Sequence, residues 1–289
     1  MFSPAFRFAR SAHLQAARPL TDDELRKVAP SVFAEAAHTS RSGRYAYIPT
    51  IDVLNGLRRE GFEVFSARQA LCRTEGRQDH TKHLLRMRHT SQIATAAKVG
   101  DSVPEILMLN SHDGTSSYQM MGGAFRLICS NGMVVPDGIC QTVRTPHSGQ
   151  VNDKVISGAF EVLDGLTRVI ESQEQMRAIR LNDGEAAAFA RAALALRFEP
   201  KVGSDGQALA APPVTEDQIL RPRRIEDRSP DLWTVLNRVQ ENVIRGGLRG
   251  RAVDGSRRTT RAVTGIDQDV RLNRALWTLA EEMRRLKVA

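Results

Sequence analysis

The sequence predicts an α+β fold: an antiparallel β-sheet with a preceding short helix, a long packed helix over it, and a C-terminal helical pair. Three observations carry this. Between residues 62 and 144, short apolar runs of strand length follow one another, separated by turn signals. From about Asp153 to Ile179 the apolar spacing becomes helical, through Val155, Ile156, Phe160, Leu163, Leu166, Val169 and Ile170. Helical spacing returns twice after Pro230. Consecutive strands and then consecutive helices give α+β rather than alternating βαβ.

The elements follow in order. Residues 1–44 are weakly patterned and read as an N-terminal arm with one short helix, started by Thr21 as cap and Glu24 at the capping-box position. The core domain is expected over 45–198. Tyr45 to Pro49 is extended. Thr50 is expected to cap a helix bearing Ile51, Val53, Leu54 and Leu57, which Gly61 stops. Phe62–Ala67 alternates as a strand, and so does Lys82–His89, where Leu85 and Met87 face away from Leu84, Arg86 and Arg88. Pro104–Asn110 is a continuous apolar run, suited to a central strand. Gly122-Gly123 predicts a turn or bulge between two extended pieces, and Asn131-Gly132 predicts a turn before Met133. Asn182-Asp183-Gly184 breaks the long helix, and a second helix follows over 185–196. Residues 199–230 contain five prolines and two glycines and read as a linker or a wrap. Residues 231–289 form the basic helical C-terminal module, with an Arg/Gly segment at 245–261 between its two helices.

The chain has 289 residues, 41% hydrophobic and 26% charged, which is globular composition. No run approaches the roughly 20 apolar residues of a membrane span. Three cysteines (Cys72, Cys129, Cys140) cannot make a disulfide framework, and no signal peptide opens the chain, so a cytoplasmic location is expected. The net charge is +8, and 35 of the 41 basic residues are Arg, the side chain suited to bidentate phosphate contacts. Residues 221–289 hold 16 bases against 9 acids, so this quarter carries nearly all the excess. Within it Arg245, Arg249, Arg251, Arg257, Arg258 and Arg261 face one acid, Asp254. Such a loop suits a polyanion; the alternative is a solvated loop whose arginines find acids elsewhere. A second basic set lies on the strands, with Lys82, Arg86 and Arg88 as groove candidates and Tyr45 and Tyr47 as stacking candidates.

Asn110-Ser111-His112-Asp113-Gly114-Thr115 is the segment richest in reactive side chains. Adjacent Ser, His and Asp cannot form a catalytic line, which needs side chains converging from separate elements. Turn stabilisation is the expected role, and a functional loop the alternative. Among His80, His83, His89 and His112 the His80-x-x-His83 spacing is permitted, but a strand points those two side chains to opposite faces and no Cys or carboxylate sits at a recognised ligand offset, so no metal site is expected. No phosphate-binding loop or dinucleotide fingerprint occurs, so no cofactor is expected.

Several stretches carry a resemblance. They include Tyr47-Ile48-Pro49-Thr50, the run from Asn110 to Thr115, Phe125-Arg126-Leu127-Ile128-Cys129-Ser130-Asn131-Gly132, Asn237 to Asn242, and Leu272-Asn273-Arg274. Over roughly residues 30–287 the chain resembles the phage/plasmid-like domain-of-unknown-function family numbered nine-three-two. That resemblance implies carriage on mobile elements and brings no catalytic residues. The order of elements is also similar to the annealing domain of Rad52-type proteins, where a β-β-β-α unit forms rings holding single-stranded DNA. This likeness implies a basic groove with Arg86 and Arg88 in it.

Together these readings give a non-enzymatic, homo-oligomeric protein, expected to bind single-stranded DNA without sequence preference and to anneal strands. The alternative is a protein-interaction factor, such as an inhibitor of a host defence system. A third reading is a metal-dependent nuclease or hydrolase centred on His112 and Asp113.

Overall fold

A seven-stranded antiparallel sheet organises the molecule. The computed structural model describes residues 11–40, 47–72, 74, 76–93, 102–126, 131–147, 151–198, 201–202 and 208–288. In chain order the elements begin β1 (Ser11–Gln15), α1 (Asp22–Val28), α2 (Thr50–Arg59), β2 (Phe62–Ala70), β3 (His83–His89) and α3 (Thr90–Ile93). Next come β4 (Ser102–Asn110), β5 (Tyr118–Arg126), β6 (Asn131–Val134), β7 (Val143–Thr145), α4 (Val151–Ala178) and α5 (Asp183–Arg197). The chain closes with β8 (Lys201–Val202), β9 (Ala208–Ala210), α6 (Glu216–Leu220), α7 (Leu232–Arg245), β10 (Arg249–Arg251), β11 (Arg257–Thr259) and α8 (Ile266–Val288). The sheet runs β1-β2-β3-β4-β5-β6, with β7 also pairing β5. The α+β class predicted from the sequence is the class observed.

Both faces of the sheet are covered. Leu85, Met87, Ile106, Met108, Met120 and Ala124 face the main core, which Val53, Leu54 and Leu57 of α2 and Val155, Val162 and Leu166 of α4 also enter. On the other face Leu84, Leu107, Leu109, Met121 and Val134 pack with Ile266 and Val270 of α8. This double burial explains why Pro104–Asn110 reads as a continuous apolar run. Trp233 of α7 and Trp277 of α8 sit in the main core, their rings edge to face at 5.4 Å. A polar seam ties the two helices to the sheet. Gln240 donates to Asn273 at 2.8 Å, Asn273 donates to Asp269, and Asp269 pairs with Arg68 of β2 at 2.8 Å.

Four local expectations change. Residues 11–34 are not an arm: β1 pairs with β2 over five residues, and Leu20, Leu25, Val28 and Val32 enter the core. The Thr21–Glu24 capping box itself forms as predicted. Pro49, not Thr50, is the cap of α2, and the Thr50 hydroxyl goes elsewhere. Gly122-Gly123 does not break the strand. Both lie inside β5 because a Cβ at Gly122 would stand 2.7 Å from Cys140 Sγ, and one at Gly123 would stand 2.7 Å from the Met133 carbonyl oxygen. Asn131-Gly132 opens β6, pairing with Arg126 and Phe125, so it is strand rather than turn.

Candidate functional site

Three groups of side chains were predicted from the sequence, and they meet different fates. Arg86 and Arg88 do share one sheet face, but that face is closed. Arg86 is 7% exposed and Arg88 8%. Both clamp the buried Glu105 of β4: Arg86 Nη1 donates to Oε2 at 3.0 Å, and Arg88 Nε and Nη2 donate to Oε1 at 3.0 and 2.8 Å. The Arg88 guanidinium lies over the Phe65 and Phe125 rings, 4.3 and 5.1 Å from their centroids. Arg86 also fills the space that a side chain at Gly132 would occupy. The exposed groove expected from these two arginines is therefore corrected to a buried ion triad. Lys82 is turned onto Asp267 at 2.7 Å. The Tyr47 hydroxyl donates to the Ala34 carbonyl, and its ring meets His112 edge to face. Tyr45 lies outside the described residues.

The Asn110–Thr115 segment divides into two roles. Asp113 accepts from the Thr115 N–H at 3.0 Å and from its hydroxyl, and the Ser116 N–H donates to Ser111 Oγ at 2.8 Å. These are the turn-stabilising roles the sequence suggests. Burial raises the Asp113 carboxyl, but the Thr115 and Ser111 hydrogen bonds and Arg77 outweigh it and hold it below the ordinary value. Asn110 and His112 instead point inward, to a cluster the sequence did not reveal. Its centre is Thr50 Oγ1, which lies 3.0 Å from Asn110 Nδ2, 2.9 Å from His112 Nε2, 3.1 Å from His83 Nε2 and 3.3 Å from the Tyr118 hydroxyl. His147 Nε2 reaches Asn110 Oδ1 at 3.0 Å.

The proton positions follow from the network. Ser31 Oγ donates to Gln69 Oε1, so it accepts from His83 Nδ1 at 2.8 Å. Neutral His83 then accepts the Thr50 proton at Nε2, and Thr50 accepts from Asn110 and from His112 Nε2. That leaves His112 Nδ1 as a bare buried lone pair with no hydrogen-bond partner. Burial drives both rings to neutrality: it pushes His83 down to about 4 and, with repulsion from His83, His147 and His80, pushes His112 down to about 2. Among the described residues no three His, Cys, Asp or Glu side chains are arranged to hold a metal ion.

The Arg/Gly segment forms the exposed group. β10 and β11 pair as a hairpin in the register Arg249↔Thr259, Gly250↔Arg258 and Arg251↔Arg257. The Gly255 N–H donates to the Ala252 carbonyl, and Gly255 takes the left-handed φ of +76° that the tip requires. Arg249, Arg251, Arg257 and Arg258 are all exposed and line a groove of about 510 Å³ with Gly250 and Thr259. Arg251 and Arg257 stand directly opposite on one face, a like-charge pair that disfavours the hairpin unless an anion screens it. Among the described residues Arg249, Arg257 and Arg261 have no acidic partner, and Arg258 reaches Asp254 only at 4.0 Å. Arg245 pairs with Glu241 at 3.1 Å, beside Arg224 and the buried Asp227–Arg126 pair. The hairpin is seated by Gly250, where a Cβ would lie 1.7 Å from the Pro213 carbonyl oxygen. Gly250→Ala is thus expected to lift the hairpin and cost about 1–3 kcal/mol, read as a lower urea midpoint; an unchanged midpoint contradicts that seating.

Comparison with known proteins now places the chain. The profile of the family described as Domain of unknown function (DUF932) matches residues 37–277. The chain belongs to the DUF932 family. Two Escherichia coli K12 members are similar along nearly their whole length. UPF0380 protein YafZ is 52% identical and UPF0380 protein YfjQ is 51% identical, each over 96% of this chain and 97% of the relative. No solved structure matches, so the likeness to Rad52-type domains has no structural comparison behind it. No helix of this DUF932 chain is long and apolar enough to cross a membrane among the described residues.

Proposed function

We propose that this protein binds nucleic acid without sequence preference, by phosphate contacts from the β10–β11 hairpin. The observation that carries the reading is the exposed hairpin with four arginines, two of them opposed, and a single acid at its tip. Such a surface gains by displacing counterions from a polyanion. It reads no base edges, so affinity follows backbone charge rather than sequence. Single-strand binding and annealing in a groove rest instead on Tyr45, Tyr47, Lys82, Arg86 and Arg88. The last three are engaged in ion pairs, two of them buried, which weakens that route.

Fluorescence anisotropy with labelled 60-mers tests the proposal. Saturable binding at about 50 mM salt is expected, weakening with a log–log slope of roughly −2 to −4 for contacts from these arginines. Absence of binding to both single- and double-stranded 60-mers at low salt rejects it. Capture of an acidic polypeptide in preference to DNA favours the protein-interaction reading.

A further inference from the structure

We infer that the hairpin is a groove-binding ribbon for duplex DNA, with Val253 as an apolar wedge at its tip. The inference rests on the nucleic-acid reading above and names the form of the ligand. Three observations support it. First, the arginines sit on a paired two-stranded ribbon, an element that architectural proteins lay in the minor groove of the duplex. Second, residues 245–261 contain no aromatic residue, whereas single-strand binders stack bases on aromatic rings. Third, Val253 is 57% exposed at the tip, flanked by the arginine-bearing strands. Apolar tips of this kind enter base steps and bend the duplex in architectural proteins.

The tip acid does not oppose this arrangement. Asp254 accepts from the Ser256 N–H at 2.9 Å and lies 4.0 Å from Arg258, so its charge turns back toward the ribbon. The base of the ribbon is fixed: the Arg251 N–H donates to the Pro213 carbonyl at 2.9 Å, and Gly250 lies against the same group. The seated base and open tip leave the arginines on both strands available to the two phosphate backbones flanking one groove.

The test uses the full chain with one 60-mer sequence as single strand and as duplex, the duplex also end-labelled for energy transfer. At equal salt the duplex is expected to bind at least about tenfold more tightly. Val253→Ser is expected to keep the salt slope, because phosphate contacts remain, while reducing the bend and weakening duplex binding about three- to tenfold. Equal or tighter single-strand binding overturns the inference and leaves the nucleic-acid reading standing. Undiminished bending and affinity in Val253→Ser remove the wedge. Equal affinity for polyglutamate of matched charge overturns the duplex assignment in favour of an acidic polypeptide. Binding to neither form of DNA fails both.

Discussion

Replacing Glu105 by Ala is expected to destabilise the protein by about 3–5 kcal/mol, a large share of the roughly 5–15 kcal/mol that holds a native protein together. Glu105 is 1% exposed and accepts from two arginines that are themselves almost wholly buried. Removing it leaves two buried guanidinium groups side by side on one face of β3 without a counter-charge. The contacts of Arg88 with Phe65 and Phe125 offset only part of that cost. Glu105→Gln keeps the shape and an acceptor oxygen but loses the charge, so it is expected to fall between wild type and Ala. Urea unfolding at pH 7.5 checks both variants. A loss below about 1 kcal/mol for Glu105→Ala contradicts the triad as a structural element. DNA affinity of any folded Glu105 variant should be unchanged, since the triad is buried and none of its residues belongs to the hairpin.

The second large effect is acid sensitivity. His83 and His112 are held near 4 and near 2, below the ordinary 6.5 of an unfolded chain. As pH falls, the unfolded chain therefore takes up these protons first. The stability these rings contribute is complete above about pH 6.5 and drains as pH falls toward 4 and then 2. The slope is at most about 1.4 kcal/mol per pH unit for each ring, so the pair costs on the order of 4 kcal/mol at pH 5. The local reason is the direction of hydrogen bonds. A proton on His83 Nε2 sets a third donor against Thr50 Oγ1, which already accepts from Asn110 and His112. Urea unfolding at pH 7.5 and pH 5.0 measures the difference. His112→Asn removes one ring and should roughly halve the drop. Equal stability at the two pH values contradicts the buried neutral cluster.

Much of the fold was legible because its signals are local. The Thr21–Glu24 box, the Asn182 break and the change from strand to helical spacing after residue 150 all act within one turn or one strand. The shared face of Arg86 and Arg88 was legible too, since it follows from alternation alone. What alternation does not encode is the cover over that face. Glu105 reaches the two arginines only through the β3–β4 register, and the α8 residues that close the face come about 180 positions later. Gly122, Gly123 and Asn131-Gly132 misled for a related reason. Glycine serves turns and close approaches alike, and here the neighbours demanding space are Cys140, Leu107 and Arg86.

The two candidate sites differ in the same way. The hairpin could be found by counting charge, because its arginines are contiguous and short of acids. The histidine cluster could not, because Thr50, His83, Asn110, His112 and Tyr118 come from four elements and a loop. The one available signal was the density of polar groups from Asn110 to Thr115, which marked the right loop without showing which side chains turn inward.

The contact of the hairpin with phosphate is the centre of this account, and the salt dependence of DNA binding measures it most directly. Replacing Arg249, Arg251, Arg257 and Arg258 together by Ala (Arg249→Ala, Arg251→Ala, Arg257→Ala, Arg258→Ala) leaves the buried core untouched. The account predicts that this variant keeps the wild-type unfolding midpoint, or exceeds it by losing the opposed pair, while the log–log salt slope shrinks by about 2–4. A variant that binds DNA with wild-type affinity and wild-type slope contradicts the assignment.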